Sequence, residues 1–247
     1  MKLLAFETAT EACSVAVYVD GEVRERFEIA PRRHAELALP WAGQLLAEAG
    51  IARSQLDAVA LSRGPGAFTG VRLAIALAQG IALALDRPLL PVSTLAVLAA
   101  QVPPPATLAG EGGCDIGAPH AILAAIDARM GEVYVARYQQ VDGLPWLQDA
   151  ERVCPPQAVV LPEGIRCAGV GTGFAAAEGA IVAQLGTALS SVDATSLPRA
   201  SDVLAIALPM LARGEAIAPE RVEPAYLRDN VALTLVEQQA LRASKQR

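Results

Sequence analysis

The chain begins with the sequence KLLAFETATEACSVAVYVDGEVRERFEI (residues 2–29), whose apolar runs and turn indicate the architecture of the first lobe. Residues 2–7 form a short apolar run, and residues 12–20 form a second run rich in β-branched side chains, so both predict strands. Asp20-Gly21 is a favoured two-residue hairpin turn, and residues 23–29 alternate apolar and charged side chains. The sequence therefore predicts a three-stranded antiparallel meander at the amino terminus.

An amphipathic helix is predicted directly after the meander, over residues 34–49. Its large apolar side chains, Leu37, Trp41 and Leu45, recur every four residues, which is typical of one stripe of a helix. Pro40 is expected to kink the helix because proline cannot complete the backbone hydrogen-bond ladder.

Strands and helices then alternate up to residue 92. Residues 57–62 predict a buried strand, residues 68–85 a helix with almost no charge, and residues 89–92 a further strand. Three strands, a helix, a strand, a helix and a strand is the order of the ribonuclease H-like half of actin-like proteins. This likeness predicts a fold and does not establish a function.

The later chain predicts a second lobe that resembles the first. Residues 121–127 form an apolar run that ends in an acid, and aligning Asp127 with Glu7 reveals a weak internal duplication. We therefore expect an α/β protein with two ribonuclease H-like lobes, each a mixed sheet with flanking helices. The predicted divisions are a first lobe, a proline- and glycine-rich connection, a divergent second lobe and a polar tail, at residues 1–101, 102–119, 120–228 and 229–247. Two helices are predicted within the second lobe, over residues 175–185 and 202–212, with Ser201 as the cap of the latter.

The composition limits the classes of function. A net charge of −6 gives no overall attraction to a phosphate backbone, so contact with nucleic acid is expected mainly through partners. The four cysteines include no Cys-x-x-Cys pair, which favours reduced core thiols over a zinc site or a disulfide framework. We find no run of about 18 consecutive apolar residues and no signal peptide, so we expect no membrane association and a cytoplasmic location. Hydrophobic residues make up 53% of the chain, and a subunit interface would bury part of them.

The most specific local motif is Gly64-Pro65-Gly66-Ala67-Phe68-Thr69-Gly70-Val71-Arg72, a glycine-rich turn that opens a helix. Free N–H groups at a helix start can bind an anion. No Gly-Lys-Ser/Thr follows, and the glycine spacing differs from the dinucleotide fingerprint. A structural corner between a strand and a helix is the alternative interpretation.

This motif resembles the Gly-Pro-Gly-Ser-Phe-Thr-Gly-Leu-Arg signature of the TsaB (YeaZ) family, with Ala67 and Val71 as departures. The opening Phe6-Glu7-Thr8-Ala9-Thr10, residues 127–134 (DARMGEVY) and Tyr226-Leu227-Arg228 are similar to other motifs of the family. The resemblance covers residues 1 to about 230.

The resemblance implies a non-catalytic subunit of the machinery that installs threonylcarbamoyladenosine in tRNAs reading codons that begin with A. It implies a heterodimer with the enzyme TsaD, a further partner in the ATPase TsaE, and contact with tRNA through the complex. ATP and magnesium would be used by the complex, and the chain would have no cofactor and no catalytic residue of its own. Its two histidines, His34 and His120, cannot form the His-x-x-x-His metal motif of TsaD, so no metal site is expected. Whether the isolated protein is a monomer or a homodimer stays open.

The family implies that the helices at residues 34–49 and 68–85 build the partner interface. Leu37, Trp41 and Leu45 are the expected contacts on the first helix, and Arg72, Ala74, Ala78 and Ala82 on the second. The three alanines recur every four residues and form a face of small side chains that a partner helix could approach closely. Burial of the second helix within its own lobe is the alternative.

Glu7, Thr8 and Asp127 mark a predicted vestigial nucleotide cleft, because actin-like ATPases hold a metal-nucleotide with carboxylates at these strand ends. The family usually has Asp at the position of Glu7, and the longer side chain displaces the carboxylate. This displacement favours a vestigial cleft. A stand-alone actin-like ATPase or small-molecule kinase that uses Glu7 and Asp127 is the rival function. A metalloprotease is a weaker rival because the chain lacks clustered histidines.

Overall fold

The computed structural model describes residues 1–103 and 121–228. These residues form two mixed β-sheets with flanking helices, which confirms the predicted α/β architecture of two lobes. Most of the predicted connection over residues 102–119 and all of the predicted tail over residues 229–247 lie outside the described residues.

The first sheet has the strand order β3-β2-β1-β4-β5. The strands are β1 (Lys2–Glu7), β2 (Ala12–Val19), β3 (Glu22–Ile29), β4 (Ala58–Ser62) and β5 (Leu89–Val92). The first three strands form the predicted antiparallel meander, while β4 runs parallel to β1 and β5 runs parallel to β4. The carboxyl ends of β1 and β4 therefore meet at one edge of the sheet.

The second sheet has the strand order β11-β10-β6-β7-β8, and β9 also pairs with β7. The strands are β6 (Ala121–Arg129), β7 (Glu132–Val141), β8 (Leu144–Leu147), β9 (Arg152–Cys154), β10 (Cys167–Val170) and β11 (Leu189–Asp193). The hairpin of β6 and β7 corresponds to that of β1 and β2, and β10 runs parallel to β6 as β4 does to β1. The internal duplication seen in the sequence is thus a repeat of strand pairing.

Five α-helices lie within the described residues: α1 (His34–Glu48), α2 (Phe68–Leu85), α3 (Thr94–Ala100), α4 (Ala180–Leu185) and α5 (Ala200–Ala212). Helices α1 and α2 share a hydrophobic core with one face of the first sheet. Helix α5 covers the opposite face, and α3 contributes apolar side chains to the cores of both sheets. The first sheet is therefore enclosed between two layers of helices.

Helix α5 corrects the predicted lobe boundary. It follows the second sheet in the chain, yet Val203, Leu204 and Ala207 are fully buried against the first sheet. Farther along the chain, Ile217 forms a bridge with Leu89 of β5. The predicted second lobe over residues 120–228 is therefore wrong at its end, because the apolar face of α5 completes the core of the first sheet.

Two predictions about helix boundaries are also corrected. The helix predicted over residues 175–185 begins only at Ala180, because Ala177 and Glu178 have positive φ angles of 48° and 57°. Ser201 is not the cap of α5, which begins one residue earlier. Instead, Ser14 accepts the Ala200 N–H over 2.9 Å. The start of this helix is capped by tertiary contacts.

Helix α2 is 18 residues long and has a mean hydropathy of 1.7, which is long and apolar enough to cross a membrane by length and composition alone. The sequence shows no uninterrupted apolar run of this length because Arg72 and Gln79 interrupt it. One face of α2 is buried against the first sheet. This apolar helix is thus a component of the first lobe's core.

Candidate functional site

The glycine-rich motif forms a close contact between the start of α2 and the turn after β1. A Cβ atom at Gly66 would overlap the Ala9 carbonyl, and one at Gly70 would overlap the Thr8 carbonyl. The Thr8 hydroxyl donates to the Gly70 carbonyl over 2.7 Å, and the Ala67 N–H donates to the Ala9 carbonyl over 2.7 Å. The glycines therefore allow the two backbone segments to pack closely. This agrees with the alternative interpretation of the motif as a structural corner between a strand and a helix.

Glu7 lies at the end of β1 and is completely buried. One of its carboxylate oxygens accepts the Ala9 N–H over 2.6 Å, and the other has no hydrogen-bond partner among the described residues. The pKa of Glu7 is raised to about 7, mainly by burial and to a smaller extent by the nearby Asp202. Desolvation likewise raises the pKa of Asp202 to about 6. Glu7 thus belongs to a buried polar layer beneath α5.

Asp127 lies two residues before the end of the corresponding strand β6, where it accepts hydrogen bonds within its own hairpin. It accepts hydrogen bonds from the Arg129 N–H over 2.8 Å and from the Arg129 guanidinium over 2.9 Å. Its own N–H donates to the Thr172 hydroxyl over 3.2 Å. Asp127 is therefore already engaged by groups of the second lobe.

A cleft of about 1010 Å³ lies between the two lobes. Its walls include the start of α1, the start of α2, the end of β6 and the segment at residues 224–228. Asp127 lines this cleft, whereas Glu7 and Thr8 do not. The predicted convergence of Glu7 and Asp127 is therefore wrong, because the Glu7 side chain turns into the core below the cleft.

The small-residue face of α2 is buried in its own lobe. Ala74, Ala78 and Ala82 have no exposed surface and pack in the core that α1 and α2 share with the sheet. Small side chains let the helix backbone lie close to the strands, and Gly70, one turn before Ala74, makes a similarly close contact. The prediction that these three alanines contact a partner directly is therefore wrong.

The predicted contacts on α1 are also largely internal. Leu45 is buried, and Leu37 and Trp41 are partly buried and pack against the same core. Exposed positions of α1 include Leu39, which is 49% exposed. The four-residue spacing correctly identified the apolar stripe of the helix, but that stripe faces the sheet.

The opposite face of α2 is exposed and almost uncharged. Phe68 is 69% exposed and Leu83 is 63% exposed, and Ala76 and Gly80 lie exposed between them. We define these four residues together with Leu39 as the α1–α2 surface. Sequence reasoning missed it, although the same periodicity that grouped the alanines also placed Ala76 and Gly80 on the other side of the helix.

The segment at residues 217–228 runs from β5 along α2 to the second lobe. Gln79 donates to the Pro219 carbonyl over 2.8 Å, and Arg72 donates to the Tyr226 hydroxyl over 2.6 Å. At the end of the segment, Arg228 donates to the Glu132 carboxylate over 2.6 Å and to the Ala128 carbonyl over 3.2 Å. The closing motif thus joins the two lobes across the cleft.

Within residues 1–103 and 121–228, no group of three or more His, Cys, Asp or Glu side chains is placed to hold a metal ion. His34 contacts the carbonyls of Thr10 and Ala12 through Nε2, a structural role, and His120 lies outside the described residues. Cys13 and Cys167 are buried free thiols, and burial raises their pKa to about 12 and about 11. These thiols remain protonated at neutral pH and are poor nucleophiles.

Comparison with known proteins gives the family. The chain is 40% identical to the tRNA threonylcarbamoyladenosine biosynthesis protein TsaB of Escherichia coli (strain K12), over 94% of this chain and 96% of the relative. The chain belongs to the TsaB family. The TsaB protein of Haemophilus influenzae is 34% identical over 94% of this chain and 95% of the relative.

A solved structure agrees with this assignment. YeaZ from Pseudomonas aeruginosa superposes with a TM-score of 0.79 at 43% identity, covering 92% of this chain and 99% of that one. The protein-family model of TsaD, described as tRNA N6-adenosine threonylcarbamoyltransferase, matches residues 27–235. A member of the TsaB family therefore shares ancestry with TsaD, and the predicted actin-like, ribonuclease H-like fold is confirmed.

Membership of the TsaB family gives the chain a role in threonylcarbamoyladenosine biosynthesis, as an accessory protein of the pathway to which TsaD also belongs.

Proposed function

We propose that this chain is a non-catalytic partner subunit that docks on TsaD and activates it for modification of tRNAs reading codons that begin with A. The observation that carries the proposal is the α1–α2 surface, an apolar face on two neighbouring helices that the other described residues leave uncovered. Exposed apolar side chains on neighbouring helices mark sites of protein association.

The shape of the surface suits another helix. Ala76 and Gly80 are small exposed residues one turn apart, so a partner helix can approach the α2 backbone closely. Phe68 and Leu83 flank them with large apolar side chains that can fill grooves on the partner. Because TsaD matches the same family model, its corresponding helices are the natural counterpart, and a second copy of this chain could occupy the surface when TsaD is absent.

In this proposal the chemistry belongs to the partners. TsaD transfers the threonylcarbamoyl group, TsaE hydrolyses ATP with magnesium, and tRNA contacts this chain only through the complex. The net charge of −6 supports indirect contact with tRNA, since an acidic surface gains little from a phosphate backbone. The proposed location is the cytoplasm, where tRNA is modified.

The test is reconstitution of tRNA modification from purified TsaD, TsaE, tRNA, ATP and threonylcarbamoyl-AMP, with and without this protein. Ala76→Glu places a charge on the α1–α2 surface, and Ala183→Glu is the matched control on an exposed position of α4. We expect product and a joint peak in size-exclusion chromatography with the wild type and the control, and neither with Ala76→Glu. If the Ala76→Glu variant still binds TsaD, the interface lies elsewhere on the chain.

A stand-alone actin-like ATPase or small-molecule kinase is the second candidate. The interlobe cleft of about 1010 Å³ supports it, since this volume accommodates a nucleotide. The position of Glu7 outside the cleft speaks against it, because only Asp127 would then remain to hold a magnesium-nucleotide. Tight binding and turnover of magnesium-ATP by the isolated protein, lost in Asp127→Asn, would favour this candidate.

A further inference from the structure

Arg72 is held between two exposed aromatic rings at the rim of the cleft. Its Cζ atom lies 3.3 Å from the centroid of the Phe68 ring and 5.1 Å from that of Tyr226. Its guanidinium donates to the Phe68 carbonyl over 2.9 Å and to the Tyr226 hydroxyl over 2.6 Å. Arg72 is thus fixed in one orientation by groups that carry no charge.

The guanidinium of Arg72 retains donors for a further ligand. An arginine has five N–H groups, and the two hydrogen bonds to Phe68 and Tyr226 use two of them. No ion pair forms between Arg72 and a carboxylate of the described residues, whereas Arg129 and Arg228 are each paired with an acid. The charge of Arg72 is therefore uncompensated within residues 1–103 and 121–228.

A rigidly held arginine flanked by exposed aromatic rings is typical of a hot spot in a protein interface. A planar guanidinium binds a carboxylate through two parallel hydrogen bonds, and the stacked rings limit the loss of side-chain entropy on binding. Phe68 belongs both to this cluster and to the α1–α2 surface, so the two are continuous. Charge complementarity then requires an acidic group on whatever covers the surface.

We infer that Phe68, Arg72 and Tyr226 form a receptor for an aspartate or glutamate side chain of TsaD. This inference rests on the proposed function, since it names the group of that partner which meets Arg72. Tyr226 lies 154 residues after Arg72 in the sequence, so the receptor exists only in the folded protein. It adds a charged anchor at one end of an otherwise apolar interface.

The experiment measures the dissociation constant of the TsaD complex as a function of salt concentration. Arg72→Gln removes the charge, Arg72→Lys keeps the charge without the planar fork, and Tyr226→Phe removes only the hydroxyl that orients the guanidinium. We expect Arg72→Gln to weaken binding at least tenfold and to flatten the salt dependence, with smaller losses for the other two. Unchanged circular dichroism and Tm would show that the variants remain folded.

A charge-reversal screen then identifies the carboxylate. Arg72→Glu should abolish binding, and a lysine substitution at one surface acid of TsaD should restore it. If Arg72→Gln binds TsaD like the wild type with the same salt dependence, while Ala76→Glu does not bind, the receptor is wrong and the docking surface stands. If the wild type itself does not bind TsaD, the proposed function and the receptor both fail.

Discussion

The Thr8 hydroxyl and the Gly70 carbonyl are 2.7 Å apart, and the two backbones approach so closely that a side chain at residue 70 has no room. Gly70→Ala should therefore lower the free energy of unfolding by about 3 kcal/mol, because the new methyl group forces α2 away from the turn after β1. Urea denaturation of the purified variant measures this loss.

Gly80 supplies the matched control within the same helix. A Cβ atom at Gly80 meets nothing within 4 Å, so Gly80→Ala should raise stability by about 0.5 to 1 kcal/mol through helix propensity. Equal stability of the two alanine variants would contradict the close contact at Gly70.

Glu7 should make stability depend on pH. Its pKa is about 7 in the folded protein against a usual 4.5, so the folded state binds the proton more tightly. The stabilisation from that proton is complete below pH 4.5 and is lost as pH rises through about 7, a change of about 3 kcal/mol. Glu7→Gln keeps an acceptor for the Ala9 N–H and should remove this dependence, making the variant more stable than the wild type at pH 8.

The pH test needs a second variant because Asp202 also has a raised pKa, about 6. Asp202→Asn should remove the part of the pH dependence that falls around pH 6. It should keep the transition of Glu7 but move it to a slightly lower pH, because the Asp202 charge contributes to the raised pKa of Glu7. Guanidinium denaturation at pH 5, 6, 7 and 8 separates the two. A wild-type stability that is flat between pH 5 and 8 would show that neither carboxyl group is held protonated.

In the isolated protein, Ala78→Glu should strongly lower stability, whereas Ala76→Glu should leave it almost unchanged. Ala78 is fully buried, so a carboxylate there has no partner and should cost about 3 to 5 kcal/mol, as an unpaired buried charge does. Ala76 is exposed, so its substitution should leave Tm within a few degrees of the wild type. Thermal unfolding followed by circular dichroism distinguishes them, and a stable Ala78→Glu would mean that α2 packs through another face.

The contact of Arg228 with Glu132 should hold the closing segment on the second lobe. Both side chains are largely shielded, and the guanidinium also reaches the Ala128 carbonyl. Arg228→Ala should lower stability by about 1 to 2 kcal/mol and speed amide hydrogen exchange in residues 225–228. Arg221→Ala, at a neighbouring arginine without an ion pair among the described residues, is the control. Equal rates of amide hydrogen exchange in the two variants would show that the contact of Arg228 with Glu132 does not hold the closing segment.

Local patterns in the sequence predicted most of the first lobe. Period-two alternation and the Asp20-Gly21 turn predicted the meander of β1 to β3, and helical spacing predicted α1 and α2 within one residue of their observed ends. These elements are encoded by neighbours in the chain, so periodicity and turn chemistry are sufficient to find them. The motifs likewise indicated the TsaB family, which the comparisons confirm.

The exposure of each helix face and the contacts between distant residues follow from the packing of the whole chain. Periodicity shows that Ala74, Ala78 and Ala82 share a face, but whether that face meets a sheet or a partner depends on the surroundings of the helix. The placement of α5 on the first sheet, the burial of Glu7 and the contact of Arg72 with Tyr226 join segments far apart in sequence. Such contacts are set by how the apolar faces of the whole chain are buried together, which no local pattern specifies.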